Sequence, residues 1–359
     1  MSYLLAFAGF ATLIVLHELG HFIAAKSVGM RVERFALFFP PLLLRRKFGE
    51  TEYAVGAVPL GGYVKITGMN HQEEIDPQLL PRSYYRQPVW KRVTVIAAGP
   101  AMNVMVALAL LFSFYMFALS RPVPIVDSTE AASPAAGKLL PGDRIVSIDG
   151  RAGDPAELRR QLITHSCAGK QINGCRARTP AELVALRNGR ELKLTIYPHY
   201  DALVDPPSPR LGFRYRQQHY SVGPLRAAQY SIEGAWHITK GTFVAVGRVF
   251  TPEGRKQISG VVGGYKATEE SFATQLSEAV LVLAVISLSL AVVNLFPFLP
   301  LDGGHILFAM VERVRGRAVS YLVMERASVL GFMLVIFLFL VGLSNDIGRL
   351  TSGQEFIPK

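Results

Sequence analysis

Residues 17–21 read His-Glu-Leu-Gly-His, which is an H-E-x-x-H motif. On an α-helix the side chains of His17 and His21 are one turn apart and about 40° apart around the axis, so both imidazoles can bind one metal ion. Glu18 lies beside them, where its carboxylate can take a proton from a water activated by that metal. A catalytic zinc site needs three protein ligands and an open water position. The motif therefore predicts a hydrolytic metal centre whose third ligand lies elsewhere in the chain.

The best candidate for that ligand is Asp302, which ends an apolar run with no acidic residue after Glu278. The preceding Pro297 and Pro300 should end the helix, and Gly303 with Gly304 permits a close backbone turn. Non-helical backbone is tolerated at membrane depth where it lines a cavity. The alternative is an aspartate that only caps the next helix, and both roles can hold together.

Four long apolar runs indicate membrane spans, since a bilayer needs about 20 such residues per helix. They are Tyr3–Ala25, Val93–Leu119, Ala279–Leu301 and Ala327–Leu343. His17, Glu18 and His21 fall inside the first run, where ionisable groups are costly and usually functional. The alternative for these three residues is a hydrogen-bonded cluster between helices.

The positive charge predicts an orientation in the membrane. The chain has 38 basic and 27 acidic residues, a net charge of +11. Basic residues are concentrated between the first two spans and between the last two, so these loops should face the cytoplasm. Both termini and the segment 121–222 are then extracytoplasmic. We expect a lipid bilayer and no nucleic acid as partner.

The segment after the second span is predicted to be a small β-rich domain. Pro141-Gly142-Asp143 indicates a turn, 144–148 alternates like a strand, and a helix is expected at 179–186 before a strand at 191–197. Over about 122–200 this order resembles a PDZ domain of bacterial proteases. Cys167 and Cys175 flank an insertion in it and should form a local disulfide outside the cytoplasm.

Together, H-E-x-x-H in the first span and Asn294-x-x-Pro297-x-x-x-x-Asp302-Gly303 near the end resemble the site-2 protease family of intramembrane zinc metalloproteases. The chain is most similar to the bacterial group that carries a PDZ insert. The resemblance implies that His17, His21 and Asp302 bind Zn²⁺ and that Glu18 is the catalytic base. It gives Asn294 to the substrate or the oxyanion, although an interhelical hydrogen bond is the alternative.

Two further stretches resemble elements of that family. Gly99 to Asn103 matches a G-x-x-x-N element, which places Asn103 near the site or in simple helix packing. Residues 53–66 resemble a membrane-associated β-hairpin that turns at Gly61 and Gly62, and its edge could bind a substrate segment. An ordinary structural hairpin is the alternative. Gly61, Gly62, Asn103 and Asn294 are thus the expected substrate contacts.

The expected fold is a multi-pass α-helical membrane protein with four transmembrane helices, a membrane-associated β-hairpin and an inserted extracytoplasmic PDZ-like domain. The expected segments are a first transmembrane helix at 1–28, a cytoplasmic, membrane-associated hairpin region at 29–91, a second helix at 92–120, the PDZ-like domain at 121–222, an amphipathic linker at 223–276 that could lie at the membrane surface, a third transmembrane segment at 277–303, a cytoplasmic loop at 304–326, a fourth helix at 327–345 and an extracytoplasmic tail at 346–359.

The family implies cleavage of single-span proteins in the bacterial inner membrane, such as anti-sigma factors or signal-peptide remnants. It also implies an upstream site-1-type protease that trims the substrate first. Two other classes stay open from the sequence. Intramembrane His and Asp also line ion pathways, as in a metal transporter, although transporters usually show internal repeats that this chain lacks. The other class is a catalytically idle PDZ scaffold.

Overall fold

A computed structural model describes residues 1–70, 73–202, 204, 207–249, 251, 254–255 and 259–352. The helices are α1 (Ser2–Ser27), α2 (Val89–Phe117), α3 (Pro155–Leu162), α4 (Pro224–Arg248), α5 (Val261–Thr274), α6 (Leu276–Asn294), α7 (Asp302–Arg315) and α8 (Tyr321–Ser352). The strands are β1 (Val32–Phe48), β2 (Thr51–Ile66), β3 (Ser120–Thr129), β4 (Arg144–Ile148), β5 (Arg151–Ala152), β6 (Ala181–Arg187), β7 (Arg190–Ile196), β8 (His199–Asp201), β9 (Ser208–Arg210) and β10 (Phe213–His219).

Four of these helices are long and apolar enough to cross a membrane. They are Ser2–Ser27, Val89–Phe117, Leu276–Asn294 and Leu322–Ser352. The third is shorter than expected, because α6 ends at Asn294 and residues 295–301 form turns around Pro297 and Pro300. The fourth is longer than the expected 327–345, and it takes in residues 346–352 of the expected tail. The remainder of that tail, 353–359, lies outside the described residues.

The chain contains two compact units, residues 1–116 with 222–359, and residues 117–221. In the first unit, two differences from the expected segments concern helices. The expected loop 304–326 includes most of α7, which ends at Arg315 and is followed by Gly316 in the left-handed conformation (φ 69°) that glycine adopts at little cost. The linker 223–276 holds α4 and α5. Asp346 of α8 is fully buried and accepts hydrogen bonds from the backbone N–H groups of Gly260 and Gly263, so it caps the start of α5.

The expected hairpin turn at Gly61 and Gly62 is wrong. The strands β1 and β2 turn at Gly49 and Glu50, where Gly49 has a φ of 61° that favours glycine. Gly62 instead lies inside β2, paired with Leu37. Both strands bend back on themselves, so Ala36 of β1 pairs with Tyr63 on one side and with Ala54 on the other. The stretch 58–66 pairs only with 32–39, and within the described residues its outer edge carries no strand.

The second compact unit, 117–221, is close to the expected 121–222 and is rich in β-structure. Its sheet has the strand order β10-β3-β4-β6-β7, with β5 beside β4 and a separate β8-β9 pair. The helix expected at 179–186 is wrong, because β6 occupies 181–187 and pairs with β4 and β7. Alternate residues of β6, at 181, 183 and 185, are buried in the core of the unit, whereas on a helix residues two apart would not share one face. That core contains Val126, Leu139, Ile145, Leu158, Leu183, Ile196 and Leu211.

The helix of this unit is α3, which the sequence analysis did not identify. Asp154 caps it by accepting a hydrogen bond from the N–H of Glu157, and the Glu157 carboxylate accepts one from the N–H of Asp154. Pro155 occupies the first turn, where its missing N–H costs nothing. Leu158 and Leu162 are the buried side of the helix.

Candidate metal centre

His17 and His21 of α1 meet Asp302, the first residue of α7. The two Nε2 atoms are 3.3 Å apart, and the Oδ2 atom of Asp302 lies 3.3 Å from that of His17 and 3.4 Å from that of His21. Tetrahedral ligands at about 2.0–2.1 Å from a zinc ion are separated from each other by about 3.3 Å. The three atoms therefore form one face of a tetrahedron of the size that zinc requires. Among the described residues this is the group of His, Cys, Asp and Glu side chains with metal-binding spacing.

The Asp302 carboxylate gives a second indication of a cation. Its Oδ2 atom is buried and accepts no hydrogen bond among the described residues, because the two Nε2 atoms approach it to 3.3 and 3.4 Å without hydrogen-bond geometry. A buried carboxylate oxygen without a donor is costly, and a metal ion removes that cost. The residues present therefore fit zinc, with two imidazoles and one carboxylate as ligands.

The turns before α7 explain why two glycines follow Asp302. A Cβ atom on Gly303 would lie 2.2 Å from the carbonyl oxygen of Leu295, and one on Gly304 would lie 2.4 Å from the backbone nitrogen of Leu299. Residues 295–301 thus pack directly against the first turn of α7. This contact fixes the place where the Asp302 side chain leaves the backbone.

The other ring nitrogen of each histidine contacts α2. Nδ1 of His21 is 2.9 Å from the carbonyl oxygen of Val95, and Nδ1 of His17 is 3.1 Å from Nδ2 of Asn103. Both rings thus direct Nε2 toward Asp302. Partners of this kind orient metal-binding histidines in many proteins. Asn103 was expected near the site, and its amide contacts His17 there, while its expected contact with substrate stays a prediction.

Glycines allow α1 and α2 to approach closely at the centre. A Cβ atom on Gly20 would lie 2.3 Å from the carbonyl oxygen of Ala98, and one on Gly99 would lie 2.2 Å from Nε2 of His21. These distances are far below an ordinary contact of about 3.5 Å. The Gly99 end of the G-x-x-x-N element therefore has a steric role at the histidines.

Glu18 faces β2 across a cleft. A Cβ atom on Gly62 would lie 2.8 Å from Cγ of Glu18, so the edge stretch 58–66 passes directly beside the carboxylate. Gly61 instead lies under the ring of Phe39. The cleft is lined by His17, Glu18, His21, Gly62, Tyr63, Val64, Ile66, Met69, Val95, Ile96, Pro300, Asp302 and His305.

Asn294, like Gly61 and Asn103, is an expected site residue that does not line the cleft. It is the last residue of α6, half-buried, and is absent from the lining. The carbonyl of Val95, residues 63–64 of β2 and His305 were not individually assigned to the site from the sequence. The one available signal was position, because residues 63–64 follow Gly62 and His305 follows Asp302 by one helical turn.

An ion pair outside the cleft joins α2 to the helix that carries Asp302. Nη2 of Arg92 donates to Oε1 of Glu312 at 2.6 Å, and Arg92 is buried. The guanidinium also lies over the ring of Tyr85, 5.8 Å from its centroid. A charged residue at the start of an apolar run was the sequence signal for this pair.

Ionic contacts also fix the β1–β2 turn. Glu50 accepts hydrogen bonds from both Nη atoms of Arg82 at 2.8 Å and forms an ion pair with Lys26. Hydrogen bonds from Arg82, then Lys26, lower the pKa of Glu50 from 4.5 to about 2.

In the other unit, Cys167 and Cys175 form a disulfide with a Cα–Cα distance of 6.1 Å.

Comparisons with known proteins give the family of the chain. The profile of peptidase family M50 matches residues 5–338. Three relatives are each named "putative zinc metalloprotease". The one from Synechocystis is 32% identical to this chain, and the alignment covers 100% of this chain and 98% of that protein. The one from Rhizobium meliloti is 30% identical (94% of each chain covered), and the one from Nostoc is 29% identical (100% of this chain and 99% of that protein covered). The PDZ domain of an SdrC-like protein from Listeria innocua is 21% identical over 28% of this chain and 98% of that domain, with a TM-score of 0.21, too low to carry an argument about the fold. The M50 profile matches nearly the whole length of this chain. The chain therefore belongs to peptidase family M50, the site-2 protease family of zinc metalloproteases.

Proposed function

We propose that this protein is an intramembrane zinc endopeptidase that cleaves single-span membrane proteins in the bacterial inner membrane. One observation carries the proposal. Nε2 of His17, Nε2 of His21 and Oδ2 of Asp302 form a triangle with sides of 3.3–3.4 Å beside Glu18, and the helix that carries the two histidines is of membrane-spanning length. Anti-sigma factors and signal-peptide remnants are the substrate types that we propose.

The positions of the cleft residues support the roles that we propose for them. His17, His21 and Asp302 would hold zinc, which when bound polarises the scissile carbonyl and makes water a nucleophile near neutral pH. Glu18 takes a proton from the attacking water and gives it to the leaving amine nitrogen. We assign Asn294 to the substrate or the developing oxyanion, and this requires the loop after α6 to move it toward the cleft.

The edge of β2 offers a way to hold the substrate. Peptide bonds in a transmembrane helix are already hydrogen-bonded, so a substrate must unwind locally before attack. The outer edge of 58–66, which pairs with no strand in the described part of the chain, passes Glu18 at Gly62, where the strand itself has no side chain. An unwound substrate segment that pairs with this edge regains main-chain hydrogen bonds.

We propose that residues 29–91 and 304–326 are cytoplasmic and that both termini and the PDZ-like unit, 117–221, are extracytoplasmic. The basic residues that flank the spans support this orientation. We also propose that a site-1-type protease acts first. Cleavage of a trimmed single-span substrate, but not of its full-length form, by the purified enzyme would support that order, and equal cleavage of both would contradict it.

Glu18→Gln and Asp302→Asn test the main proposal in purified protein. Glu18→Gln should retain zinc while its cleavage of a model single-span substrate falls by about 100-fold or more, as expected when a general base is lost. Asp302→Asn should lose zinc. Glu233→Gln is the matched control, because Glu233 lies on α4 and bonds only Gln229 among the described side chains.

Equal cleavage by Glu18→Gln and wild type would refute the protease assignment. A metal transporter would instead show zinc uptake into proteoliposomes that depends on His17 and Asp302 without proteolysis. An idle scaffold would show neither activity.

A further inference from the structure

The environment of Asn103 in α2 suggests a role that differs from substrate contact. Asn103 is fully buried, and its Nδ2 atom lies 3.1 Å from Nδ1 of His17. Its own backbone carbonyl accepts a hydrogen bond of 2.9 Å from the hydroxyl of Ser287, which is also fully buried on α6. Asn103 is therefore fixed between a helix on one side and a metal-binding histidine on the other.

The protonation of a metal-bound imidazole determines which way the amide must point. His17 presents Nε2 to the triangle of ligand atoms, so this nitrogen must carry a lone pair when zinc binds. In a neutral imidazole the proton is then on Nδ1, which becomes a donor. An amide NH₂ facing it would set a donor against a donor.

Exchange of the two amide atoms removes this conflict without moving any other group, because amide nitrogen and oxygen have nearly the same shape. The Oδ1 atom of Asn103 has no hydrogen-bond partner among the described residues, so no donor holds it in its present place. After the exchange, Oδ1 lies where Nδ2 is now, 3.1 Å from Nδ1 of His17. The carbonyl of Val95 already serves His21 in the same way.

We infer that Asn103 is a positioning residue, whose amide oxygen accepts the Nδ1–H of His17 and so fixes the tautomer and the orientation of that ring for metal binding. This inference depends on the proposed zinc function. It replaces the expected substrate contact with an effect on the metal. The partner on His17 is neutral and comes from a side chain, whereas His21 has a backbone partner that no substitution can remove.

Zinc dissociation into a chelator tests the inference on purified wild type and three variants. Asn103→Leu has similar volume but no acceptor, and it should lower zinc affinity by about 10- to 100-fold. Asn103→Asp keeps an oxygen at this position and should stay within about threefold of wild type. Met105→Leu, an exposed position on the same helix, is the control and should leave zinc affinity unchanged.

A spectroscopic readout separates this role from a purely structural one. In zinc-loaded protein labelled with ¹⁵N-histidine, the Nδ1–H signal of His17 should exchange slowly with water, and Asn103→Leu should abolish its protection. Thermal unfolding of the zinc-free proteins checks that each variant folds. If the Leu variant does not fold, Asn103→Ala takes its place in the comparison with Asn103→Asp.

Zinc affinity of the Leu or Ala variant within about threefold of wild type, together with a raised KM for substrate, would overturn the inference and restore substrate contact. Wild-type protein that binds no zinc would instead refute the proposed function, and the inference with it. The two failures are therefore distinguishable.

Discussion

Substitution of Gly99 by alanine should disable the metal centre through a single added methyl group. The new Cβ would lie 2.2 Å from Nε2 of His21, 2.5 Å from its Cε1 and 2.9 Å from Cε1 of His17. An ordinary carbon contact is about 3.5 Å, so the closest atom must move by about 1.3 Å. The atom that must move is the one assigned to zinc.

The size of that movement sets the expected effect. Metal–ligand distances in working sites vary by only about 0.2 Å, so a shift of about 1 Å removes the bond to His21. Loss of one of three ligands, or a misplacement of about 1 Å, predicts a fall in cleavage of about 100-fold with loss of stoichiometric zinc. The accompanying loss of fold stability should be only about 1–3 kcal/mol, as for other overpacked sites.

Metal analysis, substrate cleavage and thermal unfolding of Gly99→Ala measure these three quantities. Gly241→Ala is the matched control, because Gly241 lies on α4 with open space around its added Cβ. Stoichiometric zinc and wild-type cleavage in a folded Gly99→Ala protein would show that the histidines are not placed as described here.

Three further outcomes are expected. Arg92→Met should lower the free energy of unfolding by about 3–5 kcal/mol because it leaves the Glu312 charge without its buried partner, and an unchanged unfolding transition would contradict this. The thiols of Cys167 and Cys175 should not react with maleimide in intact unreduced membranes and should react after reduction. Replacement of both by serine should lower the free energy of unfolding of the β-rich unit by roughly 2–3 kcal/mol. Because the pKa of Glu50 is lowered in the folded protein, ionised Glu50 should stabilise the folded state fully above pH 4.5, and this stabilisation should be lost as the pH falls toward about 2. Hydrogen exchange of the backbone amides at the β1–β2 turn should show this pH dependence, and Glu50→Gln should remove it.

The sequence was sufficient to predict which three side chains come together, because its signals were local and rare. H-E-x-x-H specifies one helix face by its spacing alone, and Asp302 is the acidic residue that follows a long apolar run. The contacts from α2 could not be found in this way. A backbone carbonyl such as that of Val95 has no sequence signature, and the partner of His17 depends on how α1 and α2 are rotated against each other.

The wrong prediction of a helix at 179–186 in the β-rich unit has a specific physical cause. The tetrapeptide Pro-Ala-Glu-Leu occurs at 155–158 and again at 180–183. After Asp154 it begins α3, whereas after Thr179 it leads into β6. The residues after the tetrapeptide determine whether a helix or a strand forms. Arg159 and Arg160 favour an exposed helix, while residues 184–186 continue the alternation of buried and exposed side chains of a strand. The wrong prediction of a turn at Gly61 and Gly62 has a similar cause, because glycine is found both in turns and where two segments approach closely. Gly62 allows β2 to pass close to Glu18 and is not part of a turn.

The order of the ligands along the chain has a consequence for biosynthesis. His17, Glu18 and His21 leave the ribosome before Asp302, which follows only after two further candidate spans and the β-rich unit have been made. A nascent or truncated chain therefore carries the base and two ligands without the third, and it cannot hold zinc in the geometry of the finished protein. The proposed catalytic centre would therefore stay incomplete during translation until Asp302 has been made.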